Sequence, residues 1–197
     1  EGAMQVIQAG TAFEGNLLPP YGRVSGVAGL AAAKAVEAAA LAALREDVSA
    51  VVTAPLHKEA LALAGIAYPG HTEILQALCG KPPVRMMLAN DELRTVLVSI
   101  HVPLREALDS LSKDGILSTI QITHNFLTRT GIAHPRIAVA GINPHAGEGG
   151  LFGRQELDII APAVEAAKAL GIEASGPYAP DTIFMRARKT ALQDEFD

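Results

Sequence analysis

Cys79 is the only cysteine, tryptophan is absent, and aromatic residues make up 4% of the 197-residue chain. A single thiol excludes an intrachain disulfide framework and a cysteine-built zinc site within one copy, and it suits a reducing, cytoplasmic setting. No block of Lys or Arg occurs, and 16 basic against 21 acidic residues leave a formal charge of −5. That balance lacks the electrostatic footprint of a nucleic-acid or anionic-membrane binder, so neither partner is expected. No signal peptide is visible, because Met4 is followed by polar and glycine-containing sequence without an apolar core. The Ala/Leu-rich run over residues 29–44 is interrupted by Lys34 and Glu37. It reads as too short and too charged to span a bilayer, and as a buried helix instead. What is present is apolar content: 49% hydrophobic against 19% charged residues is the composition of a packed protein. The length suffices for one domain, or for parts of two that share a cleft.

Helical and extended patterns alternate along the chain. Ser25 is a candidate N-cap for a helix over 26–45, and residues 48–53 form a β-branched run that reads as a strand. Ala54-Pro55 ends that run before a helical stretch over 58–64. Apolar runs over 84–89 and 94–100, separated by Asn90-Asp91-Glu92-Leu93, suit an antiparallel pair that joins one sheet. Pro103 marks a helix start, which puts His101 at a strand end. A helix over 116–129 stopped by Gly131, a strand over 136–141, and a helix over 154–170 bent near Pro162 follow. This alternation implies an α/β fold with a largely parallel or mixed sheet, in which ligands sit beyond the C-terminal strand ends.

The polar residues of interest fall at those ends. His101 and His145 each follow an expected strand, and both imidazoles could enter one crevice and offer neutral nitrogens to Zn, Mn, Ni, Co or Fe; a hydrogen-bonded rim residue is the plainer alternative. Gly70-His71-Thr72-Glu73 opens an apolar helix. Thr72 serves there as an ordinary cap, or His71 and Thr72 receive a phosphate at the helix N-terminus. Residues 147–153 contain four glycines in seven positions, but they lack the order of a dinucleotide fingerprint and no P-loop Lys-Ser/Thr follows. Lys58 is either a solvated helix lysine or a group that binds phosphate or steadies an enolate. Asp181 is by default an N-cap. His57, His124 and His134 are read as structural or surface residues.

Five blocks then point to one family. Thr53-Ala54-Pro55-Leu56-His57-Lys58, Tyr68-Pro69-Gly70-His71-Thr72-Glu73, His101-Val102-Pro103-Leu104-Arg105, Asn143-Pro144-His145-Ala146-Gly147-Glu148-Gly149-Gly150 and Pro180-Asp181-Thr182-Ile183-Phe184 occur in this order. They resemble the PdxA family, the 4-hydroxythreonine-4-phosphate dehydrogenases of pyridoxal phosphate biosynthesis. The resemblance implies a three-layer α/β/α fold with a mixed sheet, like isocitrate and isopropylmalate dehydrogenases. It also implies a homodimer with an interdomain active site, and NAD bound without a Rossmann fingerprint. By the same resemblance His71 and Thr72 match substrate-binding positions. His101 and His145 match two of three ligands to a divalent ion such as Zn, Mn, Mg, Co or Ni. Lys58 and Asp181 are the candidate catalytic residues, and no cofactor-binding residue is assigned.

Two departures shape the expectations. The family's Gly-Asp-Pro-Ala-Gly strand and loop is not found at the start, and the third metal histidine belongs to a Tyr-His-Asp-Gln-Gly-like motif expected beyond Asp197. The chain therefore reads as the central α/β portion of a two-domain dehydrogenase, with a subdomain junction near 66–82 and little activity alone. The expected reaction is NAD- and metal-dependent oxidation and decarboxylation of 4-phosphohydroxy-L-threonine. Alternatives are a dehydrogenase for 4-phosphoerythronate or 4-phosphothreonate, one for aromatic cis-dihydrodiols, and a noncatalytic dimeric fragment.

Overall fold

The computed structural model describes residues 6–10, 18–19 and 21–188, and the chain divides into two compact units, Glu1–Pro83 and Val84–Asp197. The N-terminal stretch read for a leader falls largely outside the described residues.

The first unit is built on helices α1 (Gly26–Leu44), α2 (Lys58–Leu63) and α3 (His71–Leu78). Its core joins Ala33 and Val36 of α1 to Leu61 of α2 and Ile74 of α3. Glycine sets the approach of α1 to α2: a Cβ on Gly29 would stand 2.0 Å from the Ala60 carbonyl oxygen. A Cβ on Gly26 would stand 2.7 Å from the Leu63 oxygen. Ser25 is the N-cap residue as expected, but its side chain makes no capping hydrogen bond.

Two expectations are corrected here. By length and composition α1, at 19 residues, is long and apolar enough to cross a membrane, because Lys34 and Glu37 are its only charges and pair with each other at 2.7 Å. Nor is it buried all round. Gly29, Ala33, Val36 and Ala40 are covered, a stripe at helical spacing, while Val27, Leu30, Leu41 and Leu44 are exposed. The run over 48–53 forms no strand. Val52 is 96% exposed, and β-branched residues make a strand only where a ladder partner and a packing face exist.

The second unit contains β1 (Met87–Ala89), β2 (Arg94–Val96), α4 (Leu104–Asp109), α5 (Lys113–Arg129), β3 (Ile137–Ala140), α6 (Ala161–Ala169), β4 (Ala174–Tyr178) and α7 (Ile183–Ala187). Strands β1 and β2 pair antiparallel, and Asn90 closes the hairpin by accepting from the Glu92 and Leu93 amides at 2.9 and 2.8 Å. Strands β3 and β4 pair in parallel. Among the described residues the strands thus form two separate two-stranded ladders, and the hairpin does not join the β3–β4 pair as expected. Between β2 and β3 lies a cavity of about 200 Å³ whose lining combines apolar residues such as Val96, Ile120 and Val139 with Arg94, Thr119 and Thr123.

Helix α5 starts at Lys113, three residues before the expected 116, with Ser112 accepting from the Gly115 amide at 3.2 Å. It ends at Arg129, after which Gly131 adopts φ +103° and the Ile132 amide returns to the Leu127 carbonyl, the closure that glycine favours. Helices α5 and α6 bury Ile116, Ile120, Ala163, Val164 and Ala167 with Ile172 and Ala174 beside β4. Each fully covered aliphatic such as Val164 contributes on the order of 1.5–3 kcal/mol through burial. The bend near Pro162 takes the form of a π-helical turn, Glu156–Ile160, that leads into α6. The chain is therefore α/β.

Candidate functional site

The parallel pair fixes where the candidate residues emerge. Ala140 lies opposite Tyr178, and the Gly141 amide donates to the Tyr178 carbonyl at 2.7 Å, so β3 and β4 end at one edge. From that edge β3 runs into the segment that carries His145, and β4 runs through Asp181 into α7. The carboxyl edge of parallel strands is where α/β proteins place ligands.

Beyond β3 the backbone turns left-handed. His145, Ala146, Gly147, Glu148 and Gly149 have φ of 52°, 54°, 78°, 44° and 65° in succession. Glycine adopts this conformation freely, but an L-residue loses about 1–2 kcal/mol in it through contact between Cβ and carbonyl oxygen. His145, Ala146 and Glu148 therefore carry strain, and such strain persists where surrounding contacts over-determine the backbone.

Glu156 makes those contacts. It is 2% exposed. One carboxylate oxygen accepts from the Ile142 and Asn143 amides at 2.8 and 2.7 Å, and the other accepts from Asn143 Nδ2 at 2.8 Å. Burial alone would push this carboxyl up. The hydrogen bonds from the Asn143 side chain, the Asn143 and Ile142 amides and its own backbone amide together outweigh burial and hold it below the usual glutamate value of 4.5. The glycines beside it make room: a Cβ on Gly141 would lie 3.0 Å, and one on Gly147 2.8 Å, from its carboxylate oxygens.

His145 rides on this turn. Its Nδ1 lies 3.0 Å from Glu148 Oε2, and its ring meets Phe152 edge to face at 6.2 Å. A carboxylate only accepts, so this contact calls for a proton on Nδ1, and in that neutral tautomer the lone pair lies on Nε2. An imidazole whose far nitrogen is tied to a carboxylate has the arrangement of a metal-bound histidine. The side chain is 64% exposed, which leaves Nε2 reachable.

His101 belongs to the same unit but not to a strand end. Strand β2 stops at Val96, and His101 sits in the bend before α4, exposed, with φ +55°. Like His145 it is a non-glycine residue in the left-handed region. Asp181 lies exposed in the turn before α7, and the cap position there is held by Thr182, whose hydroxyl donates to the Ala179 carbonyl at 3.3 Å. The expected Asp181 cap is thus displaced by one residue. Among the described residues no group of three or more His, Cys, Asp or Glu side chains is arranged to hold a metal ion.

In the first unit Lys58 and His71 each occupy the first position of a helix, α2 and α3, and Thr72 follows in the opening turn of α3. Gly70 rather than Thr72 is the cap residue of α3, since the helix begins at His71, two residues earlier than a threonine cap requires. Lys58 and Thr72 are exposed. His71 Nε2 is buried and has no hydrogen-bond partner among the described residues, an arrangement that costs free energy unless a ligand supplies one. A helix start with an unsatisfied ring nitrogen suits a phosphate oxygen.

Sequence reasoning missed Glu156 and Glu148. Glu148 could have been read as a partner three positions from His145 in a tight turn; Glu156 gave only the weak signal of a charge in an apolar helical run.

The family model of the pyridoxal phosphate biosynthetic protein PdxA matches residues 2–196. A 4-hydroxythreonine-4-phosphate dehydrogenase of Beijerinckia indica is 54% identical over 171 residues, 87% of this chain and 51% of that protein. A D-threonate 4-phosphate dehydrogenase of Pectobacterium atrosepticum is 48% identical over 166 residues, 84% of this chain and 51% of that protein. The crystal structure of a 4-hydroxythreonine-4-phosphate dehydrogenase from Klebsiella pneumoniae superposes with a TM-score of 0.87 at 43% identity, over 95% of this chain and 55% of that one. The chain spans about half the length of the curated relatives it matches. With a match along nearly its whole length, the chain belongs to the PdxA family.

Proposed function

We propose that this chain supplies the histidine-bearing part of an NAD-dependent, divalent-metal-dependent dehydrogenase that oxidises and decarboxylates 4-phosphohydroxy-L-threonine. The observation that carries the proposal is the His145 turn, where Nδ1 is tied to Glu148 and the exposed ring leaves Nε2 reachable, at the carboxyl edge of the parallel pair. His101 and His145 would hold the ion. When bound there it would supply Lewis acidity that eases ionisation of the substrate hydroxyl and steadies the enolate left by decarboxylation, with NAD accepting the electrons. His71 and Thr72 would bind the phosphate at the start of α3, and the His71 ring nitrogen without a partner supports that role. Lys58 would add positive charge toward phosphate or enolate, and Asp181, beyond β4, would handle a proton.

The same reading takes the finer architecture to be three layers, α/β/α, around a mixed sheet as in isocitrate and isopropylmalate dehydrogenases. The chain is its central part, with a junction near 66–82, acting as a cytoplasmic homodimer without nucleic acid or membrane. The 54%-identical relative and the superposed structure, both named 4-hydroxythreonine-4-phosphate dehydrogenase, support the proposed activity.

A second reading, oxidation of D-threonate 4-phosphate, is favoured by the 48%-identical relative named for that substrate. The test is a chimera of the Klebsiella pneumoniae enzyme in which the matching residues are replaced by this chain's 2–196, assayed by NADH formation. Turnover of 4-phosphohydroxy-L-threonine is expected. Faster turnover of D-threonate 4-phosphate would move the assignment to the second reading, and a folded chimera inert toward both would sink both.

A further inference from the structure

We infer that Glu156 is a positioning residue for His145: its buried carboxylate holds the left-handed turn from which the imidazole projects. The inference rests on the reading of His145 as a ligand and deepens it.

The carboxylate touches both sides of the turn. At the entry it takes the Ile142 and Asn143 amides and the Asn143 side-chain amide. Further along, Gly147 passes so close that a Cβ there would lie 2.8 Å from Oε2. Asn143 is held in turn from a second side, donating to Gln155 Oε1 at 2.8 Å. Closing a loop does not in itself call for a buried charge, and apolar packing would do it at lower desolvation cost. What a carboxylate offers is acceptance without donation: it gathers several N–H groups at one point and fixes the direction in which the chain leaves β3. The chain that leaves there enters a run of left-handed residues, three of them non-glycine, which needs an external constraint. The π-helical turn that begins at Glu156 is a wide turn of the kind that recurs at functional sites. It reaches back 13 to 14 residues to the turn. His145 has no direct contact with Glu156 among these bonds, so the effect passes through the backbone.

The test uses the purified chain with Co2+ as probe ion and NMR of the histidine rings. In the metal-free chain, Glu156→Gln is expected to shift the His145 ring resonances and to strip exchange protection from the Ile142 and Asn143 amides. Val164→Ala, a core truncation on α6, should lower the melting temperature without moving His145. With Co2+ added, Glu156→Gln should weaken affinity by about tenfold or more, the range for groups that orient a ligand. Asn143→Ala deletes one arm of the lock; it should act in the same direction with smaller size, and it serves if Glu156→Gln does not fold. His145 resonances that stay put in these variants, or that move as much in Val164→Ala, overturn the inference. His145→Ala separates it from the reading beneath it. If that variant binds Co2+ like the unaltered chain, the metal reading falls, and the metal-free spectra alone decide for or against Glu156.

Discussion

The two units present their histidines by opposite means. His71 stands at the first position of α3, where a regular helix start defines its place from a few neighbouring residues. His145 stands on a left-handed turn that three strained residues would leave if they could, and its place is defined by a carboxylate from Glu156, well along the chain. A local device needs only capping and helix propensity. A long-range device needs the fold of its unit to be in place first, and in exchange it holds a geometry that no local sequence would adopt. The first unit has its own special requirement, but in packing: α1 and α2 meet backbone to backbone through glycine.

That contrast can be broken most forcefully at Gly29. Adding one methyl would put a carbon 2.0 Å from the Ala60 carbonyl oxygen, which forces α1 off α2, and overpacking of this kind costs about 1–3 kcal/mol or more. Gly29→Ala should therefore unfold the first unit at lower denaturant. Amide exchange in α1–α3 should quicken while the core amides of α5 and α6 keep their protection. Equal loss in both would mean that the units are not separable in stability.

Acid should act on the second device through Glu156. The Glu156 carboxyl is held below the usual 4.5 in the folded state. The stability it lends is fully present above the unfolded value and is lost as pH falls through the lower folded one. Below about pH 4.5 the amides of Ile142 and Asn143 should thus lose exchange protection, and Glu156→Gln should abolish that pH dependence. A pH profile unchanged in the variant would assign the acid response elsewhere.

Smaller effects sharpen the comparison. Ser112→Ala removes the cap bond to Gly115 and should lower the stability of the second unit by about 1 kcal/mol in urea unfolding. Lys34→Ala on α1 breaks an exposed pair with Glu37. It should change the first unit by no more than about 0.5 kcal/mol, and less in high salt.

Legibility in the sequence followed the same division. Helices α2 and α5 were readable to within a few residues, because apolar period and proline or glycine punctuation are local signals; the Ser112 cap that starts α5 earlier was not read. The run at 48–53 misled, since its β-branched composition is sequence and its missing partner is tertiary structure. Strand β4 was not foreseen at all: Ala174-Ser175-Gly176-Pro177-Tyr178 contains the residues that normally argue against a strand, and it forms because β3 lies alongside. For the candidate site, the spacing and chemistry of His71, His101 and His145 were visible, as was the glycine content of the turn. Its left-handed course was not, because three non-glycine residues take part. Nor was Glu156, whose position in a helical run resembles any acidic residue of a first turn.

The most direct test of the central proposal follows the ring resonances of His101 and His145 while the chain is titrated with Co2+. Both should respond together, with one affinity and one ion per chain, and His145→Ala should abolish the response of His101. Independent affinities for the two rings, or a His101 response untouched by His145→Ala, would contradict a shared ion and with it the catalytic role proposed for this chain.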